Sequence, residues 1–324
     1  MTKSAIRLAA AASAAVLCII VLLAIFPERY SDACTKGLGI WLNFVVPTLF
    51  PFFVLTAILT KLGAVSKASA FLTPLTRSAF RLPGISSYCF VMSILSGYPV
   101  GSRIIADLYE NGLIDNKQAS RMSALCSTSG PMFVIGSVGS AMFQSKAAGL
   151  ILFASHLFAV IAVSMIAARF YKKEEKAPPK TATLRADNVL YESVYGAVIS
   201  ILCVGGFITV FYVLIEMLTD FRILWPLSMG LGKVFSLFGM ENAAGAFTEG
   251  LLEVTRGAKA LSAFGPSTLP LAAFLVTFGG ACILAQQLGY LKKAGVKGGR
   301  FVGMKLIQAV AAALVCLLLC KIFL

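Results

Sequence analysis

Four short stretches hold most of the residues that could do chemistry in an otherwise apolar chain. The first, Ser96-Gly-Tyr-Pro-Val-Gly-Ser-Arg103, brings Ser96, Gly97, Tyr98, Pro99, Gly101, Ser102 and Arg103 into one interruption. Glycine lets the backbone turn and lets a ligand approach closely, and proline removes a donor from the helix ladder. A helix restarting near Gly101 would turn its N-terminal amides toward an anion, and Arg103 could pair with a carboxylate. The other use of such small residues is a tight helix–helix crossing. The second stretch, Ser127, Thr128, Ser129, Gly130 and Pro131, sets three hydroxyls side by side in an apolar span. Polar groups there are costly unless used, either on a ligand or to cap a helix starting near Pro131.

The third stretch runs Glu249-Gly-Leu-Leu-Glu-Val-Thr-Arg-Gly257. Glu249 and Glu253 are four apart and share one helical face, with Thr255 and Arg256 close by. Carboxylates at membrane depth point to a proton or cation role; the alternative is an internal ion pair that holds the segment shut. The fourth comprises Gly279 and Gly280 after Thr277-Phe, then Gln286 and Gln287, whose amides can line a pore or bond between helices. Asn43, near Pro47 and Pro51, marks another broken or tilted helix, and Glu216 reads as interfacial. His156 reads as a packed or hydrogen-bonded helix residue. With one histidine there is no triad, no HExxH and no phosphate loop, so no enzyme, cofactor or metal is expected. The eight cysteines form no CxxC pair and read as small apolar packing residues.

The elements that position these stretches follow from hydropathy and charge. Of 324 residues, 58% are hydrophobic and 13% charged, whereas a soluble domain carries about 25% charged residues. Charge-free runs lie between Arg7 and Glu28, Lys36 and Lys61, Arg81 and Arg103, Arg121 and Lys146, Lys146 and Arg169, Glu192 and Glu216, and Lys259 and Lys292. A last run, Leu306 to Cys320, is bounded by Lys305 and Lys321, read as snorkelling ends. Most runs reach the ~20 apolar residues that a membrane helix needs. The first run is too long for the apolar core of a signal peptide and reads as a retained helix.

Basic residues orient the chain. A polar linker with two prolines follows Tyr171, and Lys and Arg favour cytoplasmic loops. Placing that linker and the N-terminus inside puts twenty of the 28 basic residues on the inner side. The net charge of +14 is then a topology signal with anionic lipid as partner, not a nucleic-acid surface. Threading outward from the linker makes 84–115 and 222–262 segments that leave and return on one side. The expected fold is therefore all-α: a polytopic membrane protein with an inverted-topology repeat and two re-entrant helical hairpins. Its parts are an N-terminal transmembrane helix (1–36), a first repeat (37–171), a cytoplasmic linker (172–190) and a second, inverted repeat (191–324). Paired interruptions in inverted halves point to a secondary transporter.

The stretches Leu95 to Ile114 and Cys126 to Val138 are similar to the YlbJ-type sporulation integral membrane proteins. These sit in the nucleoside-recognition, or gate, domain group, and the similarity runs from about residue 37 to 324. The resemblance implies a cell-membrane permease of the mother cell, with dipicolinate, a small aromatic dianion, as cargo. Arg103, Arg256 and helix N-termini would then hold the anion, while Glu249 and Glu253 would carry protons or a co-transported cation such as sodium. The wider group leaves a nucleoside permease open, and a non-transporting scaffold for spore assembly is the rival from another class. Homo-oligomers are compatible with all three.

Overall fold

Charge-free runs become long helices because a lipid-facing backbone must satisfy its own hydrogen bonds. The computed structural model describes residues 3–171 and 188–324. Among the described residues every regular element is helical. The first half comprises α1 (Lys3–Ile25), α2 (Pro27–Lys61), α3 (Ala64–Ala79), α4 (Ser86–Ser96), α5 (Val100–Glu110), α6 (Asn116–Leu125), the π-wound α7 (Met132–Met142) and α8 (Lys146–Ala168). The second half comprises α9 (Val189–Asp220), α10 (Trp225–Phe235), α11 (Ala244–Leu252), α12 (Val254–Ser262), α13 (Leu269–Phe278), α14 (Gly280–Leu291) and α15 (Gly298–Phe323).

Five of the described helical stretches are long and apolar enough to cross a bilayer: α2, α8, α9, Pro266–Leu291 and α15. Their outer faces carry large apolar side chains such as Leu55, Phe158, Leu202, Leu314 and Leu318, all well exposed. An apolar surface of that extent is a lipid contact, not a water-facing wall. The chain is an all-α polytopic membrane protein.

Both halves run through the same order of elements. A long helix (α2, α9) is followed by a short one (α3, α10), then a pair of short helices meeting at a break (α4–α5, α11–α12). Next comes an interrupted helix (α6–α7, α13–α14), then a closing helix (α8, α15). The two long helices pack on each other, as do the two closing helices. Packing is also crosswise: α5 lies on α14, and α12 lies on α7.

Two expectations need adjusting, and one falls outside the described residues. The boundary at 36/37 falls inside α2, which runs unbroken from Pro27; proline is tolerated there because the first turn of a helix has no amide partners to lose. Asn43 does not break that helix. It sits in a π-wound turn, Trp41–Val45, where its amide donates to the Gly39 carbonyl at 2.8 Å. Residues 172–187 of the linker lie outside the described residues.

Candidate functional site

The breaks are where helix ends meet. Gly97 ends α4 with φ +71°, and the Tyr98–Pro99 peptide is cis before α5 begins. Here glycine is required twice over. A Cβ on Gly97 would sit 2.7 Å from the Gly130 amide, and one on Gly101 would sit 1.8 Å from the Cys126 carbonyl. The first break is thus pressed against the second, Cys126–Gly130. Between α13 and α14 both Gly279 and Gly280 have positive φ. Between α11 and α12 a single extended residue, Glu253, makes the break.

Glu253 is buried and acts as the N-cap of α12. Its carboxylate accepts from the Thr255 amide at 3.0 Å, from the Arg256 amide at 2.7 Å and from the Thr255 hydroxyl. It satisfies amides that the start of a helix leaves unpaired. These breaks surround a small cavity of about 50 Å³, lined by Ser96, Gly97, Tyr98, Ser129, Gly130, Glu253, Thr255, Cys282 and Gln286, with apolar walls from Val45, Leu49, Phe133, Val204 and Ile208. A mostly apolar pocket with a few converging polar groups is the usual form of a small-molecule site.

The remaining expected site residues fall into four groups. Behind the cavity, Ser102 donates to Gln287 Oε1 at 3.2 Å and Ser127 donates to the same oxygen. Thr128 donates to Ser93 at 3.2 Å. Pro99, Gly101, Pro131, Gly279 and Gly280 shape the breaks but do not line the cavity. Arg103 is exposed and lies outside the lining.

Arg256 and Glu249 belong to a separate cluster. Arg256 clamps Glu249 with two bonds, at 2.9 and 3.1 Å, and reaches Glu216 at 3.2 Å. Its guanidinium lies 5.0 Å from the centre of the Tyr212 ring. Glu216, read as interfacial, also meets Arg29 at 3.6 Å, and Arg29 holds Asp220. Arg256 is therefore the internal ion pair that was the alternative reading, tying α11 and α12 to α9.

Two residues matter more than their sequence positions suggest. His156, on α8, accepts from the Ser129 amide through Nε2 at 2.9 Å, and its Nδ1 lies 2.9 Å from Thr277 Oγ1. Because Nε2 accepts, the proton sits on Nδ1 and is donated to Thr277. The imidazole thus joins the interruption of one half to that of the other. Lys305, read as a snorkelling end, is instead fully buried. Its Nζ donates to Tyr98 Oη at 2.8 Å and to the Ser127 carbonyl at 2.9 Å, and Tyr98 donates onward to the Thr277 carbonyl at 3.1 Å. Lysine at the edge of an apolar run resembles a snorkelling residue; only tertiary packing shows that α15 turns it inward.

The fold and these breaks define the class: a polytopic helical membrane protein whose interrupted helices meet at one place. Residues 44–174 match the family model for the gate, or nucleoside-recognition, domain. The chain is also similar to the sporulation integral membrane protein YlbJ of Bacillus subtilis strain 168, with 28% identity over 320 residues, covering 91% of this chain and 78% of that one. No solved structure matches.

Proposed function

We propose that the chain is a secondary transporter, not an enzyme, that moves a small organic anion through the cavity between the breaks. The observation that carries this reading is the cavity itself. Broken helices from both halves meet there, in a protein whose outer surface is apolar. Irregular backbone at membrane depth persists only where protein or a water-filled cavity satisfies it. The shared order of elements and the crosswise packing fit an inverted repeat with re-entrant pairs, and alternating access would rock one half on the other. The distribution of basic residues favours the cytoplasm for the N-terminus and the 172–190 linker.

An anion is favoured by the first turn of α14. Cys282 and Ile283 reach the cavity from that turn, whose amides have no partners within their own helix. The similarity to YlbJ supports a role in sporulation, and the family resemblance suggests dipicolinate as cargo. One observation favours a second reading, a nucleoside: the lining offers hydroxyl and amide groups from Ser96, Ser129, Thr255 and Gln286 and no arginine.

Counterflow in proteoliposomes tests both readings. Vesicles loaded with unlabelled dipicolinate or uridine are given the labelled compound outside. The expected result is saturable exchange of dipicolinate that falls at least tenfold in Ser129→Ala and Thr255→Val. Exchange of uridine alone would replace the anion reading with the nucleoside one. No exchange of either compound would leave the scaffold as the better account.

A further inference from the structure

Lys305 has no place in the cavity lining, yet it is the one lysine or arginine among the described residues whose side chain is completely buried. Its two partners, Tyr98 Oη and the Ser127 carbonyl, are neutral oxygens. A charged ammonium buried without a carboxylate is costly, and ionisable groups in such places commonly mark proton paths.

The neighbourhood is built to receive a third donor. An ammonium has three N–H groups, an amine two. One turn along the same face of α15, Gln308 uses its amide nitrogen on the Ala124 carbonyl at 2.8 Å, and its Oε1 is a buried acceptor with no partner. Residues three apart on a helix are neighbours, so that orphan oxygen belongs to the same face of α15 as the amine, one turn further along. On the other side, Tyr98 separates Lys305 from the cavity while contributing to its wall.

No opposing charge fixes the state of this amine. From α8 the titratable groups are Lys146, which opens that helix ten residues before His156, and His156 itself, committed as an acceptor to the Ser129 amide and hence uncharged. From the first break the group is Tyr98. The α13 segment carries no titratable side chain. On α6, Lys117 is exposed and Arg121 lies over the Tyr171 ring, 4.5 Å from its centre.

We propose that Lys305 is the proton-binding residue that couples transport to a proton gradient, an inference that rests on the permease reading above. When Tyr98 swings aside, water reaches Nζ from the open side. The amine lone pair takes one proton, forming one N–H bond, and the ammonium satisfies its extra donor on Gln308 Oε1. Reorientation exposes Nζ to the other side, where that N–H bond breaks and the proton leaves to water. Each cycle returns the amine unchanged and carries one proton.

Proteoliposomes with a trapped pH-sensitive dye test this, with dipicolinate and uridine as the probes. In the wild type, net flux of the moving probe should shift the lumenal pH. Lys305→Met, close in shape and uncharged, should keep counterflow within about threefold while losing the pH shift and all accumulation driven by a proton gradient. Tyr98→Phe keeps the ring but removes one acceptor from the ammonium. It should move the pH midpoint of driven uptake about one unit lower, and this holds the proposal to account even if Lys305→Met fails to fold. Wild-type flux without a lumenal pH shift overturns the proton role alone. Persistent proton movement in Lys305→Met, or an unmoved midpoint in Tyr98→Phe, does the same. Absence of exchange of both probes in the wild type overturns the permease reading and this inference with it.

Discussion

Glu253 shows how one residue can serve both structure and site. It is the whole break between α11 and α12, it caps α12, and its carboxylate borders the cavity. Charge-assisted bonds to backbone amides are stronger than neutral ones. Glu253→Ala removes them and leaves the Thr255 and Arg256 amides unpaired. We expect a loss of about 2 kcal/mol in stability, seen as a lower Tm for the detergent-purified protein, together with loss of exchange. An unchanged Tm would show that the cap carries no load. The importance of Glu253 was legible as a carboxylate in an apolar run. Its division of labour with Glu249 was not, because both sit near Arg256 in sequence. The structure separates them through backbone geometry: Glu253 is extended and turns back onto the amides that follow it, while Glu249 sits on the helix facing Arg256.

The elements are held together by ion pairs that link one helix to the next. Arg256 ties α11 and α12 to Glu216 on α9, and Glu216 in turn meets Arg29 on α2. Removing one member of a partly buried ion cluster leaves its partners without compensation. Arg256→Ala should therefore cost about 2 kcal/mol after allowance for the partial exposure of the cluster, whereas Arg103→Ala, on an exposed face, should stay within about 0.5 kcal/mol and leave exchange within twofold. Denaturant titration of both variants checks the contrast. A large stability loss from Arg103→Ala, or none from Arg256→Ala, would contradict this assignment of the two arginines. In sequence both could serve an anion; that Arg256 pairs with Glu249 and reaches Glu216 depends on the turn of α12 toward α9, and that is a tertiary fact. The breaks themselves were legible, since Gly97, Gly130, Gly279 and Gly280 are the residues that let helices stop and touch.

At the scale of the whole molecule, hydropathy was enough to place most of the helices, because lipid leaves few alternatives for a long apolar run. It could not show that α2 continues from Pro27 to Lys61 or that α15 turns Lys305 into the core. Hydropathy counts residues along the chain; it does not say which face of a helix meets its neighbours. His156 is the hydrogen-bonded helix residue it was read as, but its partners were hidden for the same reason: they lie 27 and 121 residues away in sequence. The central claim is that the cavity between the breaks opens to both sides of the membrane. Cys282, which lines that cavity, offers a direct probe in a protein whose other cysteines are replaced by serine or alanine. Its reaction with a membrane-impermeant thiol reagent can be followed in right-side-out and inverted vesicles. The account predicts labelling from both faces, slowed from both by the transported solute; labelling from one face only, or from neither, would contradict it.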